Sequence, residues 1–331
     1  MVVDTREALS APTCFMNLSA DFIRTIQSTF GDKGSAWLAL LPDLIDEASR
    51  LWSLTNVQPV PNLSYNFVAF VTRGEEDVVL KIGVPNRELT SEMSALHFFD
   101  GRGAVCLLEA DEDRAMFLLE RLQPGNMLTT VNDDNQATHI AADVMLNLWR
   151  PAPTEGAFIQ VSDWFKGFEK LRLRFEGGTG PLGKTLVERA EHSVANFFSE
   201  DYVSMLIHGD LHQSNILSSE RGCAAGVMPA ALRLGGKTPP SWLAIDPKGV
   251  IGPAAYEVGP LLMNPSGFLN RSDAVQITKR RIDVLSEQLG FERDRIREWG
   301  IAHAVLSAWW SLEDNMNWEY SMHCAEVIAE A

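Results

Sequence analysis

Leu206-Ile-His-Gly-Asp-Leu-His-Gln-Ser-Asn-Ile-Leu217, followed downstream by Trp242-Leu-Ala-Ile-Asp-Pro-Lys248, sets an Asp, an Asn and a second Asp between short apolar runs. The apolar runs read as strands and the polar residues between them as loops. Phosphoryl transfer from ATP needs such a set. The transferred group passes through a loose transition state, so a protein mainly positions the acceptor and neutralises charge on the phosphate oxygens. In that chemistry Asp210 accepts the proton of an acceptor hydroxyl. Asn215, from the same loop, turns back to hold magnesium, and Asp246 supplies a second metal ligand from the end of a neighbouring strand. Magnesium takes hard oxygen ligands, keeps several waters and shares the rest of its shell with substrate phosphates. His-Gly-Asp alone is a weak signal. With Asn at plus five and an apolar-Asp step after a second strand it becomes a strong one.

On these residues the chain resembles the kinase-like phosphotransferases and, within them, the aminoglycoside and hydroxyurea resistance kinases, which include streptomycin 6-phosphotransferases. The likeness is collinear over most of the chain. It takes in Phe30-Gly31, Ala36-Trp-Leu-Ala-Leu-Leu-Pro42, Val79-Leu-Lys-Ile82, Gly101-Arg-Gly-Ala-Val105 and Phe117-Leu-Leu-Glu-Arg-Leu122. It continues through the His-Gly-Asp segment, Ile245-Asp-Pro-Lys248 with Tyr256-Glu257, and Leu306-Ser-Ala-Trp-Trp-Ser-Leu-Glu-Asp314. The resemblance implies an α+β, two-lobed protein-kinase-like fold. Residues 1–122 are expected to form an N-lobe, with N-terminal helices and a small antiparallel nucleotide-binding sheet. Residues 123–331 are expected to form a mainly helical C-lobe carrying the catalytic loop, the metal site and the substrate-binding helices.

The local patterns agree with that order. Helical spacing covers 19–30 and 35–54, with Leu38, Leu41, Leu44, Ile45 and Ala48 in phase. Strands follow at 67–71 and 78–82 around an Arg73-to-Asp77 turn, then a helix over 88–99 and strands at 104–108 and 115–120. Pro124-Gly125 marks a hinge. Beyond it, helices are expected at 135–149, 162–175, 183–199, 271–289 and 294–315. Cys223 to Ser241, rich in Ala, Gly and Pro, reads as a hairpin extension or mobile flap.

Under the resemblance, Lys81, set in an otherwise apolar strand, reaches the ATP α- and β-phosphates, and Glu92 from the next helix holds its ammonium; Glu88, one turn earlier, is the competing partner. The nucleotide-covering loop falls at Pro61 to Asn66. It lacks the glycines of protein kinases, and Ser64 and Asn66 are candidates for phosphate hydrogen bonds, with an ordinary polar turn as the alternative. Glu120 to Leu122 runs along the adenine through its backbone, while Phe117 reads as core. His208 orients backbone near the metal aspartate, His212 is a phosphate or substrate contact or neither, and Glu257 braces the large lobe. Trp309, Trp310 and Trp318 lie near Glu313 and Asp314; Trp310, Asp314 and Trp318 fall on one face if the terminal helix continues. Glu313 and Asp314 are candidate contacts for a cationic substrate, the tryptophans equally candidates for core.

Composition narrows the classes. A formal net charge of −16 argues against nucleic-acid binding, which relies on Lys and Arg contacts to phosphate. It suits a cationic small acceptor, although acidity for solubility is the stronger reading of the charge alone. No apolar run reaches the roughly 18 residues that span a bilayer, and the N-terminus carries no basic-then-apolar pattern. Cys14, Cys106, Cys223 and Cys324 lie far apart, as reduced thiols do. The expectation is a cytoplasmic kinase using ATP and Mg2+ on a hydroxyl of a small molecule, an aminoglycoside or hydroxyurea by resemblance. A metabolic alcohol kinase is the close alternative. A pseudokinase is disfavoured because Lys81, Glu92, Asp210, Asn215 and Asp246 are all present.

Overall fold

The computed structural model describes residues 18–156, 158–220, 241–265, 267 and 271–331. Helix α1, Ala20–Trp52, is capped by Ser19, whose hydroxyl accepts from the Phe22 amide. It is the expected pair of helices merged, with a break at Gly31, where φ is 57° and ψ −131°. Such a conformation strains any residue with a Cβ. Trp37, Leu41, Ile45 and Ala48 recur every three or four residues and bury one face.

That face covers a five-stranded antiparallel sheet of β1 (Leu54–Pro59), β2 (Asn66–Arg73), β3 (Glu76–Gly83), β4 (Leu107–Asp111) and β5 (Met116–Glu120), in the order β1-β2-β3-β5-β4. β1 replaces the expected end of the helix at 54, and β4 lies three residues later than expected. Strand alternation then decides what reaches the cleft. Val78, Leu80 and Ile82 pack under α1 with Phe67, Ala69, Val71, Met116 and Leu118. Lys81 and Phe117, paired in register, must therefore point the other way. Helix α2, Arg87–Phe99, is capped by the Asn86 side chain and packs on that second face.

β6 (Pro124–Met127) opens the second half and pairs outside the first sheet, with the strand at Ile216–Ser219. After it come α3 (Asp134–Leu148), β7 (Arg150–Pro151), β8 (Ile159–Gln160), α4 (Val161–Phe165), α5 (Gly167–Arg174) and α6 (Lys184–Ser199). Then follow β9 (Ser204–Ile207), β10 (Ile216–Ser219), β11 (Ser241–Ala244), β12 (Val250–Pro253), α7 (Val258–Leu262), α8 (Ala274–Leu289), α9 (Arg293–Glu313) and α10 (Glu319–Glu330). The helix expected over 162–175 is split into α4 and α5. Gly167 lies so close to α9 that a Cβ there would be 2.8 Å from the Trp309 ring. The chain turns at Lys166 to make that approach. α9 is the hub, burying Ile296, Trp299, Ile301, Val305, Leu306 and Trp309; removing one such tryptophan to Ala costs about 3–5 kcal/mol.

α9 stops at Glu313, and Asn315 adopts φ 57°. Trp318 consequently precedes α10 as its N-cap. The expectation that Trp310, Asp314 and Trp318 share one helical face fails there. Cys14 and Cys223 lie outside the described residues, as does the 223–240 flap; the strands beside the flap are antiparallel partners, Ser219 opposite Ser241. Cys324 is a buried free thiol. Among the described residues no helix is long and apolar enough to cross a membrane.

Candidate active site

Two hairpin-like paths bring the motif residues together. β9 pairs with β12, Ile207 opposite Val250, and β10 pairs with β11, Ile216 opposite Ala244. The loops 208–215 and 245–249 are thus held side by side at both ends. Gly209, at φ 86°, lies so close to Val250 and Trp164 that a Cβ would sit 2.7 and 3.0 Å from their side chains. Only glycine fits this position.

His208 joins the two loops. Its Nε2–H donates to the Ile245 carbonyl at 2.8 Å, and its Nδ1 accepts from the Asp210 amide at 3.2 Å. Its own carbonyl accepts from the Lys248 and Gly249 amides. Burial pushes the imidazole down to about 3, so it is neutral, with both nitrogens engaged, and cannot serve as a base. The Asn215 side chain donates to the Asp210 carbonyl at 3.0 Å, and its backbone carbonyl accepts from Ile245. Asp210, Asn215 and Asp246 are therefore neighbours through a shared backbone network. Beneath them the Glu257 carboxylate, fully buried, accepts from the His208 amide at 2.7 Å and the Gly209 amide at 2.9 Å. Glu257, expected to brace the large lobe, holds the start of the 208–215 loop.

Lys81 closes the other side. Its ammonium lies 2.6 and 2.8 Å from the two Glu92 oxygens and 2.9 Å from Asp246 Oδ1. Burial alone would lower the Lys81 pKa, but Asp246 and Glu92 outweigh it and hold the amine well above its ordinary value. Burial likewise works to raise Asp246, yet Lys81 brings its carboxyl below the usual range. Glu92 is lifted by burial to about 7, with Lys81 opposing. Asp210 is raised, again by burial, against the pull of His212 and Lys248. His212 lies 4.0 Å from Asp210 Oδ1 and uses Nδ1 to accept from the Ser214 amide.

The remaining candidates fall at the rim. Ser64 is exposed in the turn before β2. Asn66 opens β2, and an added Cβ at Gly83 would lie 2.3 Å from its Oδ1, so the glycine leaves room for this amide. Glu120 turns its carboxylate to the Cys106 amide at 2.7 Å, which leaves recognition in its vicinity to the backbone. Leu122 is buried, and Phe117 is fully buried with Lys81 Nζ 5.6 Å from its ring centre. Glu313 and Asp314 are exposed at the end of α9. Glu313 lies 3.7 Å from Lys170.

Two residues without a role in the sequence reading also stand here. Trp164, on α4, touches Gly209 and meets Trp310 edge-on, ring centres 5.7 Å apart, and Tyr256 at 5.8 Å. Both tryptophans are only partly buried. While Lys81 meets Glu92, Lys248, within the quoted motif, pairs with Glu88 at 3.3 Å. Its basic character after a metal-type aspartate was the available signal; nothing in the sequence near Trp164 marks it.

The donor chemistry fits a magnesium nucleotide. Among the described residues no three His, Cys, Asp or Glu converge as a protein cage. The Asp246 carboxylate is 51 % open beside the buried ammonium. That ammonium and two carboxylates carry a net negative charge, as suits a cation that completes its shell with water and phosphate.

A family model described as aminoglycoside/hydroxyurea antibiotic resistance kinase matches residues 52–315. Streptomycin 6-kinase of Streptomyces glaucescens is 29% identical over 308 residues, 90% of each chain. Hydroxyurea phosphotransferase of Kitasatospora aureofaciens is 28% identical over 294 residues, 86% of this chain and 77% of its own. Aminoglycoside phosphotransferase APH(4)-Ia, solved with ADP and hygromycin B, superposes with a TM-score of 0.55 at 11% identity, covering 86% of this chain and 98% of that one. At that identity the last likeness shows the kinase-like fold alone.

Proposed function

The chain belongs to the aminoglycoside/hydroxyurea antibiotic resistance kinase family, and from that premise we propose that it transfers the γ-phosphoryl group of ATP to a hydroxyl of a small molecule, streptomycin or hydroxyurea by analogy with its relatives, in the cytoplasm. The observation that carries this reading is Lys81 held at once by Glu92 and Asp246, next to the loop that presents Asp210 and Asn215.

Lys81 binds the α- and β-phosphates, and Glu92 keeps its ammonium aimed at them. Asp246 and Asn215 are the ligands for Mg2+, which when bound neutralises the phosphate oxygens. Asp210 orients the acceptor hydroxyl and takes its proton; burial raises its pKa, which makes its carboxylate a better proton acceptor than an ordinary aspartate. His208 and Glu257 hold the loop rigid, so that Asp210 meets the acceptor in one geometry. Ser64, Asn66 and the backbone of Glu120 to Leu122 contact the nucleotide. Trp164 and Trp310 offer ring surface to the acceptor, and Glu313 with Asp314 reads positive charge at its outer edge.

The test is a screen by mass spectrometry for a phosphate-sized increment across streptomycin, other aminoglycosides, hydroxyurea and cell alcohols, with ATP and magnesium. A modified antibiotic supports the reading. Modification only of a common metabolite makes this a metabolic alcohol kinase instead.

A further inference from the structure

Glu88 and Glu92 stand one turn apart on α2 and hold different lysines: Glu92 binds Lys81, and Glu88 lies 3.3 Å from Lys248 Nζ. The stem of Lys248 is fixed from both loops. Its amide donates to the His208 carbonyl at 2.8 Å, and its Cβ lies 3.3 Å from where a side chain at Gly209 would begin. The next residue, Gly249, is clamped on α2, with the Ser91 hydroxyl donating to its carbonyl at 2.6 Å and Ala95 leaving no room for a Cβ. The amine itself is loosely held. The Lys248 side chain is 40 % exposed and that of Glu88 57 %, and a pair so open to water adds little to stability. A rigid stem on the loop of Asp246, held against the loop of Asp210 and ending in a weakly engaged cation, suits an electrostatic task in the cleft better than a latch.

Resting on the phosphotransferase reading above, we propose that Lys248 leaves Glu88 and contacts the γ-phosphoryl group, neutralising charge on its oxygens during transfer. In that step the bond from the γ-phosphorus to the β–γ bridging oxygen breaks and its electron pair leaves with ADP. A bond forms to the acceptor oxygen, and the acceptor proton passes to Asp210. Lys81 serves the two phosphates that stay behind; Lys248 serves the one that moves.

Calorimetry with magnesium-ADP and magnesium-AMP-PNP separates the two lysines without relying on turnover. Lys248→Met weakens AMP-PNP about ten-fold or more, the loss of a charged contact, while ADP affinity stays within about two-fold. Glu88→Gln removes the competing carboxylate and tightens AMP-PNP about two- to five-fold, the size of one exposed ion pair; the double variant shows no such gain. Turnover of Lys248→Met falls by about two orders of magnitude. Unchanged AMP-PNP affinity in a folded Lys248→Met protein overturns the proposal, as does an equal loss of ADP and AMP-PNP affinity, which marks a general change in the cleft. Failure of the wild type to bind either nucleotide overturns the phosphotransferase reading, and this proposal with it.

Discussion

The ammonium of Lys81 meets both carboxylate oxygens of Glu92, at 2.6 and 2.8 Å, with both side chains buried. Breaking such a pair leaves an uncompensated charge, which costs about 3–5 kcal/mol. Lys81→Met is therefore expected to lower stability by that order and to abolish turnover. The double variant Lys81→Met/Glu92→Gln recovers part of the stability in urea unfolding and none of the activity, because the one carboxylate left there, Asp246, is half open to water and no cation remains for phosphate.

Acid sensitivity has a source outside the cleft. His303 is buried on α9, its Nδ1 hydrogen-bonded to the Tyr256 hydroxyl at 2.9 Å, and burial with the nearby His212 lowers its pKa from 6.5 to about 3. A depressed folded pKa contributes stability that is present above 6.5 and is lost as pH falls toward 3. The expected slope is about 1.4 kcal/mol per pH unit from this group. His303→Gln lowers the whole stability curve by losing packing, but flattens its acid limb by that slope. Urea midpoints measured from pH 7 to pH 4 check it; an unchanged slope removes His303 from the account.

On the acceptor side, Trp310→Ala is expected to raise the acceptor KM about ten-fold while leaving nucleotide KM unaltered, as loss of a ring contact of about 1–2 kcal/mol does. Glu313→Gln/Asp314→Asn changes acceptor KM less, about two- to five-fold, because both carboxylates are exposed. Steady-state kinetics with each substrate varied distinguish the two effects. A neutral acceptor removes the charge argument for Glu313 and Asp314 without touching the phosphate side.

Much of the site was legible before the fold because its residues are tied to local patterns. The alternation in Val78 to Ile82 makes Lys81 the odd residue in an apolar strand. The loop residues from His208 to Asn215 sit between apolar runs that form β9 and β10, which pair with β12 and β11. What stayed hidden depends on long-range approach. β1, Leu-Thr-Asn-Val-Gln-Pro, shows no alternation of apolar and polar residues and is largely exposed beyond Leu54, so its strand character comes only from pairing with β2. The break between α4 and α5 follows from contact with Trp309, and the end of α9 from a left-handed Asn315. Trp164 reaches Gly209, and Glu88 reaches Lys248, only because distant segments are brought into contact. Periodicity carries no trace of such pairings.

The central claim is that Asp210 presents the acceptor hydroxyl to a nucleotide held by Lys81 and Asp246. Its most direct test compares wild type and Asp210→Asn for ATP-dependent phosphorylation of the acceptor found in the mass screen, with magnesium-ADP affinity measured in parallel. The account predicts turnover lower by about two orders of magnitude or more, the size of lost general-base catalysis and positioning, with ADP affinity within about three-fold of wild type, since Asp210 binds no phosphate of ADP. Turnover of Asp210→Asn within a few-fold of wild type, at unchanged ADP affinity, contradicts it.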